Sequence, residues 1–391
     1  MQETTKPKKP YPDFPLFPHA TKRWAKKIRG KLHYFGPWRD PQGALQKYIE
    51  QRDDLQAGRT PRLRDPDGLS IRELCNRFLT WKKGLLDSDD ISYRTFSDCM
   101  RTCTIIVDHF GKDRIVEDLV QEDFQEFRVE LAKTRNPVSL ADAIGRIRSV
   151  FKFGYDSGLM DKPVRYGSGF AKPSRRKMRE ARNQAEARMF EADEINLLLD
   201  EADDVLKAMI LLGINCGFGQ SDLSSLPKAA IDLESGFIDY PRPKTAIPRR
   251  CPLWPKTIEA LKVAMEKRPE PKNPADANLC FLTRKGEPWV KISQGEKKAW
   301  TDSLGLRFGR LLRKIHLKRP GLNFYALRHT FETIAGESID QVAVNSIMGH
   351  VDNSMSAAYR ERISDERLIA VSNHVRDWLS EAEAKKSKAK K

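Results

Sequence analysis

Apolar positions recur at helical spacing over most of this 391-residue chain, and short alternating runs interrupt them near its beginning and its middle. From Leu16 to Gly36, apolar and basic residues alternate on both sides of Gly30, which is typical of a β-hairpin that turns at the glycine. Residues 41–58 then carry apolar side chains at helical spacing, with Pro41 near the start and Gly58 past the end. The pattern predicts a small sheet followed by one helix.

A second block of helical periodicity follows a stretch rich in Arg, Pro, Asp and Gly at 59–68, which we interpret as a linker. Ser70 with Glu73 three residues later forms a capping box before an apolar stripe. Three further helical patterns lie at 93–110, 121–134 and 139–157. About four helices in some 90 residues predict a compact all-α domain.

The last block combines helices with a second hairpin. Short strand patterns at Phe237–Tyr240 and Arg250–Leu253 flank a basic turn, which places Lys244 near the tip of a predicted β-hairpin. Helical patterns surround it, at 192–204, 205–216, 255–268, near 295–315 and at 339–348. The apolar positions from Leu368 to Leu379 are also helically spaced, and we expect this stripe to need a partner, such as a second protomer.

The predicted fold class is multidomain α+β: a small sheet-plus-helix module, an all-α domain, and a mainly α domain with a small antiparallel hairpin. The expected domains are a basic arm and DNA-binding module at 1–60, a helical domain at 69–160, a basic linker at 161–188, and a large domain with a C-terminal tail at 189–391. The basic cluster within the linker suits either a hinge that closes around a duplex or a localisation signal, and the residues alone do not separate the two.

The charge of the chain indicates which class of molecule it binds. Lys and Arg number 70 against 54 Asp and Glu, the net charge is +16, and the mean hydropathy is −0.60. A polyanion is therefore expected, and nucleic acid is favoured over an anionic membrane surface because the chain has no long apolar run and no lipidation motif. The N-terminus lacks an apolar signal segment, so we expect a cytoplasmic protein, or a nuclear one in a nucleated cell.

Several basic side chains are candidates for DNA contacts. In the first module they are Arg23, Lys26, Lys27, Arg29 and Lys31, and in the helical domain they are Arg94, Arg101, Arg146 and Arg148. A basic strand face suits a DNA groove and the helical arginines suit phosphates, but both sets are equally compatible with ordinary solvated surface charge.

The cysteines carry no chemical signal. All six are scattered without a C-x-x-C pair, so neither a disulfide framework nor a metal site is indicated, and we expect buried thiols. No cofactor is expected.

Three short segments near the end of the chain carry candidate chemistry. They contain Arg328 within Tyr325–Phe331, His350 after Gly349, and Tyr359 nine residues beyond that histidine. An arginine, a histidine and a tyrosine are what an enzyme needs to attack a phosphodiester with a side-chain hydroxyl. Taken singly, each residue also has an ordinary structural explanation: an ion pair, a helix cap or a packed aromatic ring.

With Lys244 upstream, the order and spacing of these residues resemble the tyrosine recombinases of the phage integrase family. The resemblance is sharp from about 205 to 365 and extends more weakly to a small arm-binding module and a helical core-binding domain. It implies an enzyme of a mobile element that cuts and rejoins DNA through a 3′-phosphotyrosyl bond, without cofactor or metal. In that scheme Tyr359 is the nucleophile, Arg328 binds the phosphate, His350 hydrogen-bonds the phosphate or assists proton transfer, and Lys244 protonates the leaving oxygen.

Two positions depart from the family pattern. Gly219 stands where the family has a phosphate-binding arginine, and Tyr325 stands where it has a histidine. A tyrosine keeps a hydrogen-bonding group but is not easily protonated. We hypothesise that Arg242, Arg249 or Arg250 on the predicted hairpin supplies the missing charge.

The resemblance also implies a partner and an assembly: double-stranded DNA bound by a homotetramer, with accessory DNA-bending proteins. Two alternatives stay open. A type IB topoisomerase shares the chemistry, although the arm-like first module favours recombination. A recombinase-fold protein without activity, acting as a sequence-specific DNA-binding or architectural factor, is compatible with Gly219.

Overall fold

The computed structural model describes residues 6–56, 68–292, 300–352 and 354–389. The chain divides into two compact units, Met1–Ala181 and Arg182–Lys391. The predicted linker at 59–68 and the predicted helix end at Gly58 lie almost wholly outside the described residues. None of the described helices is long and apolar enough to span a membrane.

The first unit begins with the predicted hairpin. Strands β1 (Phe17–His19), β2 (Arg23–Ile28) and β3 (Lys31–Pro37) form one antiparallel sheet. Arg29 and Gly30 connect β2 to β3 with φ of 50° and 79°, the two left-handed residues of a tight hairpin turn. Helix α1 (Pro41–Gln56) covers one face and buries Ala44, Tyr48 and Leu55 against Trp24 and Phe35.

Four helices form the second core of this unit, as expected. They are α2 (Ile71–Asp87), α3 (Tyr93–Phe110), α4 (Gln121–Lys133) and α5 (Pro137–Asp156). The Ser70 hydroxyl accepts from the Glu73 amide, which realises half of the predicted capping box. Phe170 is fully buried in this core, so the start of the segment predicted as a linker packs as part of the helical domain. A short basic helix, α6 (Arg175–Asn183), follows.

The second unit carries the remaining elements. Its helices and strands are, in chain order, α7 (Ala192–Glu201), α8 (Asp204–Asn215), α9 (Gln220–Ser224), β4 (Ile231–Asp232), β5 (Phe237–Asp239), β6 (Arg250–Pro252), α10 (Pro255–Glu266), β7 (Val290–Ile292), β8 (Trp300–Asp302), α11 (Ser303–Lys314), α12 (Ala326–Gly336), α13 (Gln341–Met348), α14 (Met355–Ala358) and α15 (Asp365–Ala389).

Two small sheets accompany these helices. Strands β4, β5 and β6 pair antiparallel, with Ile238 opposite Cys251, and β7 pairs antiparallel with β8. Sequence periodicity did not predict β4, β7 or β8, because strands of two or three residues are too short for an alternating pattern. The helix predicted near 295–315 begins at Ser303, after β8, and residues 293–299 lie outside the described residues.

Helix α8 is the centre of the second core. Its residues from Leu206 to Asn215 are buried apart from Lys207, and α10 and α12 pack beside it. A helix that is apolar on every face must be surrounded by other elements, which explains why this segment organises the unit.

Helix α15 packs on the same core through its apolar stripe. Leu368, Val371, Val375 and Leu379 are each at most 5% exposed. The stripe is therefore covered within its own domain, and the expectation of an uncovered stripe that needs a second protomer is wrong for this conformation. Trp254 fixes the helix by donating its indole N–H to the Ser372 hydroxyl at 2.8 Å.

All six cysteines are free thiols, and all except the half-buried Cys99 are buried.

Candidate active site

Arg328 lies in the first turn of α12 and is almost completely buried, with 2% of its surface exposed. Its Nη1 donates to the Gly217 carbonyl at 2.6 Å and its Nη2 to the Met348 carbonyl at 2.5 Å. Within the described parts of the chain no carboxylate lies within ion-pair distance of it. Two carbonyl dipoles thus hold a permanently charged guanidinium that has no carboxylate partner among the described residues, which is an unusual way to bury a cation.

His350 is placed beside Arg328 by the end of α13. Gly349 ends the helix in the left-handed conformation, with φ 62° and ψ 42°, which turns the next residue back toward the core. The His350 Nε2 atom lies 3.1 Å from Arg328 Nη2. Because a guanidinium only donates, Nε2 must accept, and the ring proton is assigned to Nδ1.

The surroundings of His350 favour its neutral form. Burial and the neighbouring Arg328 lower the pKa of the imidazole. Its Nδ1 faces Glu332 Oε2 at 3.9 Å, and that buried oxygen has no hydrogen-bond partner among the described residues. A neutral imidazole with its lone pair toward Arg328 can accept a proton.

The hairpin that carries Lys244 docks against Gly349. The Arg242 amide donates to the Ile247 carbonyl at 2.8 Å and closes the turn, which leaves Lys244 exposed near the tip. Both the Arg242 guanidinium and the Thr245 hydroxyl reach the Gly349 carbonyl, each at 3.3 Å. The basic hairpin and the His350 segment therefore meet at one glycine.

The three hairpin arginines have different surroundings. Arg250 pairs with Asp239 and, at 2.7 Å, with Asp365 at the start of α15. The side chain of Arg249 has no exposed surface and pairs with Asp222 Oδ1 at 3.2 Å. Arg242 is half-buried and has no carboxylate partner within the described residues.

Gly219 adjoins this group through Asp222. The Gly219 amide donates to Asp222 Oδ2 at 2.7 Å, while the other oxygen of that carboxylate accepts from Arg249. The Tyr325 ring lies close as well, because a Cβ on Gly219 would be 3.2 Å from Tyr325 Cδ2. Glycine at this position thus leaves room for the tyrosine.

Tyr325 and its neighbour His329 line a cavity of about 580 Å³. Their rings are in edge-to-face contact with centroids 5.5 Å apart. Burial, followed by the charge of Arg188, lowers the pKa of His329. Tyr325 itself is 39% exposed.

Tyr359 follows the single turn of α14 and is 79% exposed. No hydrogen bond of its hydroxyl to another described residue is present, whereas the next residue, Arg360, pairs with Asp352 at 3.2 Å. The structure therefore brings Arg328, His350 and the Lys244 hairpin to Gly349 and leaves the tyrosine on the surface.

The basic residues proposed for DNA contacts in the first unit differ in orientation. Lys27 and Leu32 are opposite each other on the exposed face of the sheet, next to Tyr34, whereas Lys26 lies on the other face over the Tyr48 ring at 4.7 Å. Arg23, Arg29 and Lys31 are exposed.

In the helical domain, Arg101 and Arg146 both face Asp98, at 3.5 and 3.3 Å, and Arg94 is exposed. Arg148 instead donates to the Phe170 carbonyl at 2.7 Å and lies over the Tyr166 ring. It therefore braces its own domain.

Sequence reasoning did not single out Asp222 or Glu332. Asp222 stands three residues after Gly219, a helix-capping distance, and Glu332 stands one turn after Arg328 on α12. Both spacings are visible in the sequence, but the ion pair and the facing histidine depend on distant segments.

Comparisons with known proteins find similarity in the second unit. Residues 188–366 match the profile of the phage integrase family. The matched segment makes up most of the second unit and less than half of the chain. No curated protein matches the chain in sequence.

Similar solved structures align with more of the chain than this segment. A lambda integrase dimer bound to a COC′ core site aligns with a TM-score of 0.58 at 15% identity, over 92% of this chain and 98% of that one. A lambda integrase tetramer bound to a Holliday junction aligns with a TM-score of 0.57 at 17% identity, over 91% and 98%. The integrase of the Tn1549 transposon, in complex with a circular intermediate DNA, aligns with a TM-score of 0.55 at 17% identity, over 78% and 98%. The chain has the fold of the tyrosine recombinase integrases.

Proposed function

We propose that the protein is a site-specific DNA recombinase of the integrase or transposon type, which cleaves and rejoins DNA through a 3′-phosphotyrosyl intermediate at Tyr359. The observation that carries the proposal is the buried Arg328, which has no carboxylate partner among the described residues and lies next to a neutral His350 and the Lys244 hairpin. A scissile phosphate supplies the anion that this cation lacks.

The chemistry balances without a metal or a nucleotide. The Tyr359 oxygen forms a bond to phosphorus as the bond from phosphorus to the 5′ oxygen breaks, and attack by that 5′ hydroxyl reverses the step. His350 Nε2 is the acceptor for the tyrosine proton once Arg328 turns from it to the phosphate. Lys244 donates a proton to the departing 5′ oxygen.

We propose that Tyr359 moves before it reacts. Its side chain is 79% exposed whereas Arg328 is 2% exposed, so the segment 354–364 rearranges to bring the two together when DNA binds. The flanking contacts between Arg360 and Asp352, and between Arg367 and Asp340, define where that segment is anchored.

The substrate is double-stranded DNA, with contacts distributed over the chain. We assign the exposed face of the first sheet, with Lys27 between Leu32 and Tyr34, to a DNA groove, and the cluster of Arg101 and Arg146 to phosphates. Known structures of this fold hold DNA as dimers or tetramers, and we propose a tetramer for this chain as well.

Covalent trapping tests the proposal. A duplex that the protein binds is first selected from a random library, and nicked versions are then prepared so that cleavage releases a short fragment and prevents rejoining. We expect a denaturant-resistant protein–DNA adduct with wild-type protein and none with Tyr359→Phe, although both bind the duplex equally.

The absence of an adduct on every nicked version of a tightly bound site contradicts the proposal. It favours the second candidate, a recombinase-fold protein that binds specific DNA without cutting it. This second candidate is considered because Gly219 stands where the family has an arginine. Salt-sensitive binding alone does not distinguish them, because both candidates neutralise phosphates.

A further inference from the structure

Positive charge accumulates around Gly349 beyond what nearby carboxylates neutralise. Arg328, Arg242 and Arg249 converge there, and the ion pairs of the described residues supply one carboxylate to the group, that of Asp222. Burial lowers the pKa of Arg328, and the charge of Arg242 is the next largest contribution in that direction. Such a cluster is stabilised when an anion enters it.

The three hairpin arginines are not equally free to hold that anion. Arg250 is neutralised by two carboxylates. Arg249 has no exposed surface, donates from Nε to the Tyr240 carbonyl at 3.0 Å and pairs with Asp222, and its ring neighbour Phe218 lies 4.4 Å from the guanidinium carbon. Its Nη1 has no hydrogen-bond partner among the described residues, but this atom is buried and cannot meet an anion unless the hairpin opens.

Arg242 is the exception. It is half-buried, and its guanidinium makes a long hydrogen bond, 3.3 Å from Nη1 to the Gly349 carbonyl. Its Cβ lies 3.0 Å from the position that a side chain on Gly349 would occupy. Because Gly349 directly precedes His350, Arg242 lies close to this histidine, whose Nε2 is 3.1 Å from Arg328 Nη2.

We propose that Arg242 is the second guanidinium that binds the scissile phosphate, reaching the site from the hairpin in place of an arginine at position 219. The buried ion pair between Arg249 and Asp222 positions Arg242, because it connects the base of the hairpin to α9. This inference rests on the proposed recombinase function and assigns one further catalytic residue to it.

The geometry makes three chemical predictions. Loss of one charge-stabilising donor at a transition state lowers the rate by about 100- to 1,000-fold. Lysine at position 242 keeps the charge and loses the two-pronged geometry, so Arg242→Lys recovers only part of the rate. Arg250→Ala, on the same hairpin but with its charge committed to Asp239 and Asp365, stays within about threefold of wild type, as for a partly exposed ion pair.

The experiment measures single-turnover adduct formation on the nicked duplex, with protein in excess so that DNA binding is saturated. Wild type, Arg242→Ala, Arg242→Lys and Arg250→Ala are compared after thermal melting has confirmed that each is folded. A second duplex carries a methylphosphonate at the scissile position, which removes one nonbridging negative charge. If Arg242 neutralises that charge, its replacement by alanine costs about 100-fold or more on phosphate and less than about tenfold on methylphosphonate.

The outcomes separate the two proposals. Absence of an adduct with wild type overturns the recombinase function and the inference with it. A wild-type adduct together with an unchanged rate for Arg242→Ala overturns the inference alone, and so does an equal loss on both duplexes, which is the behaviour of a structural residue. Loss confined to the charged phosphate supports the assignment.

Discussion

Gly349→Ala is the substitution whose effect the structure specifies most closely. The residue sits at φ 62°, in the left-handed region, where a side chain costs about 1–2 kcal/mol. Its added Cβ meets Arg249 Cδ at 2.8 Å and Arg242 Cβ at 3.0 Å, distances at which a neighbour must shift. Arg249 is held by Asp222 and by the Tyr240 carbonyl, so the clash is not relieved cheaply, and overpacking adds about 1–3 kcal/mol.

The total predicted loss is about 2–5 kcal/mol in the free energy of unfolding of the second unit. Gly309→Ala is the matched control: it lies within α11, and its nearest neighbour outside the helix backbone is Arg313 Nη2 at 3.9 Å. Alanine is favoured over glycine inside a helix, so the control gains about 0.5–1 kcal/mol.

Thiol labelling in urea measures both values for this domain separately. Cys216, Cys251 and Cys280 are at most 1% exposed, and peptide masses distinguish them from the cysteines of the first unit. A pulse of alkylating reagent at each urea concentration then gives the fraction in which the second core is open. A cost below about 1 kcal/mol for Gly349→Ala contradicts this prediction, and so does a shift of the urea midpoint in the same direction for both substitutions.

Three further predictions use the same labelling. Burial and a neighbouring arginine lower the pKa of His350, so the unfolded chain binds more protons than the folded chain below pH 6.5. The free energy of unfolding therefore falls as the pH decreases through that region. His350→Gln makes this dependence on pH less steep. Ser372→Ala removes the hydroxyl bonded to Asn215 and Trp254 and costs about 1–3 kcal/mol, whereas an effect under about 0.5 kcal/mol contradicts a structural role. Truncation after Ile363 removes α15 from the core, so the three thiols become labelled without urea. If all three thiols stay unlabelled, the domain does not need α15 for its stability.

Local signals in the sequence predicted much of the fold. Gly30 between two alternating runs gave the first hairpin, Ser70 gave a helix start, and the segment at 93–110 became a helix with those bounds. Each of these depends on residues a few positions apart, so periodicity and capping chemistry suffice to predict them.

The side-chain partners within the site were not predictable in the same way. Arg249 and Arg250 are adjacent in the chain, yet one pairs with Asp222 and the other with Asp365, 115 positions away. Neighbours on a strand point to opposite faces, and which face meets the site is decided by packing. The same holds for α15, whose periodic stripe correctly indicated burial but carried no information on which surface covers it.

Peptide mapping of the trapped adduct identifies the nucleophile. After nuclease and trypsin digestion, we expect a residual nucleotide on the peptide from His329 to Arg360, attached through a 3′-phosphate to Tyr359, with a free 5′-hydroxyl on the released strand. A nucleotide on any other residue, or attachment through a 5′-phosphate, shows that Tyr359 is not the nucleophile of a 3′-phosphotyrosyl mechanism.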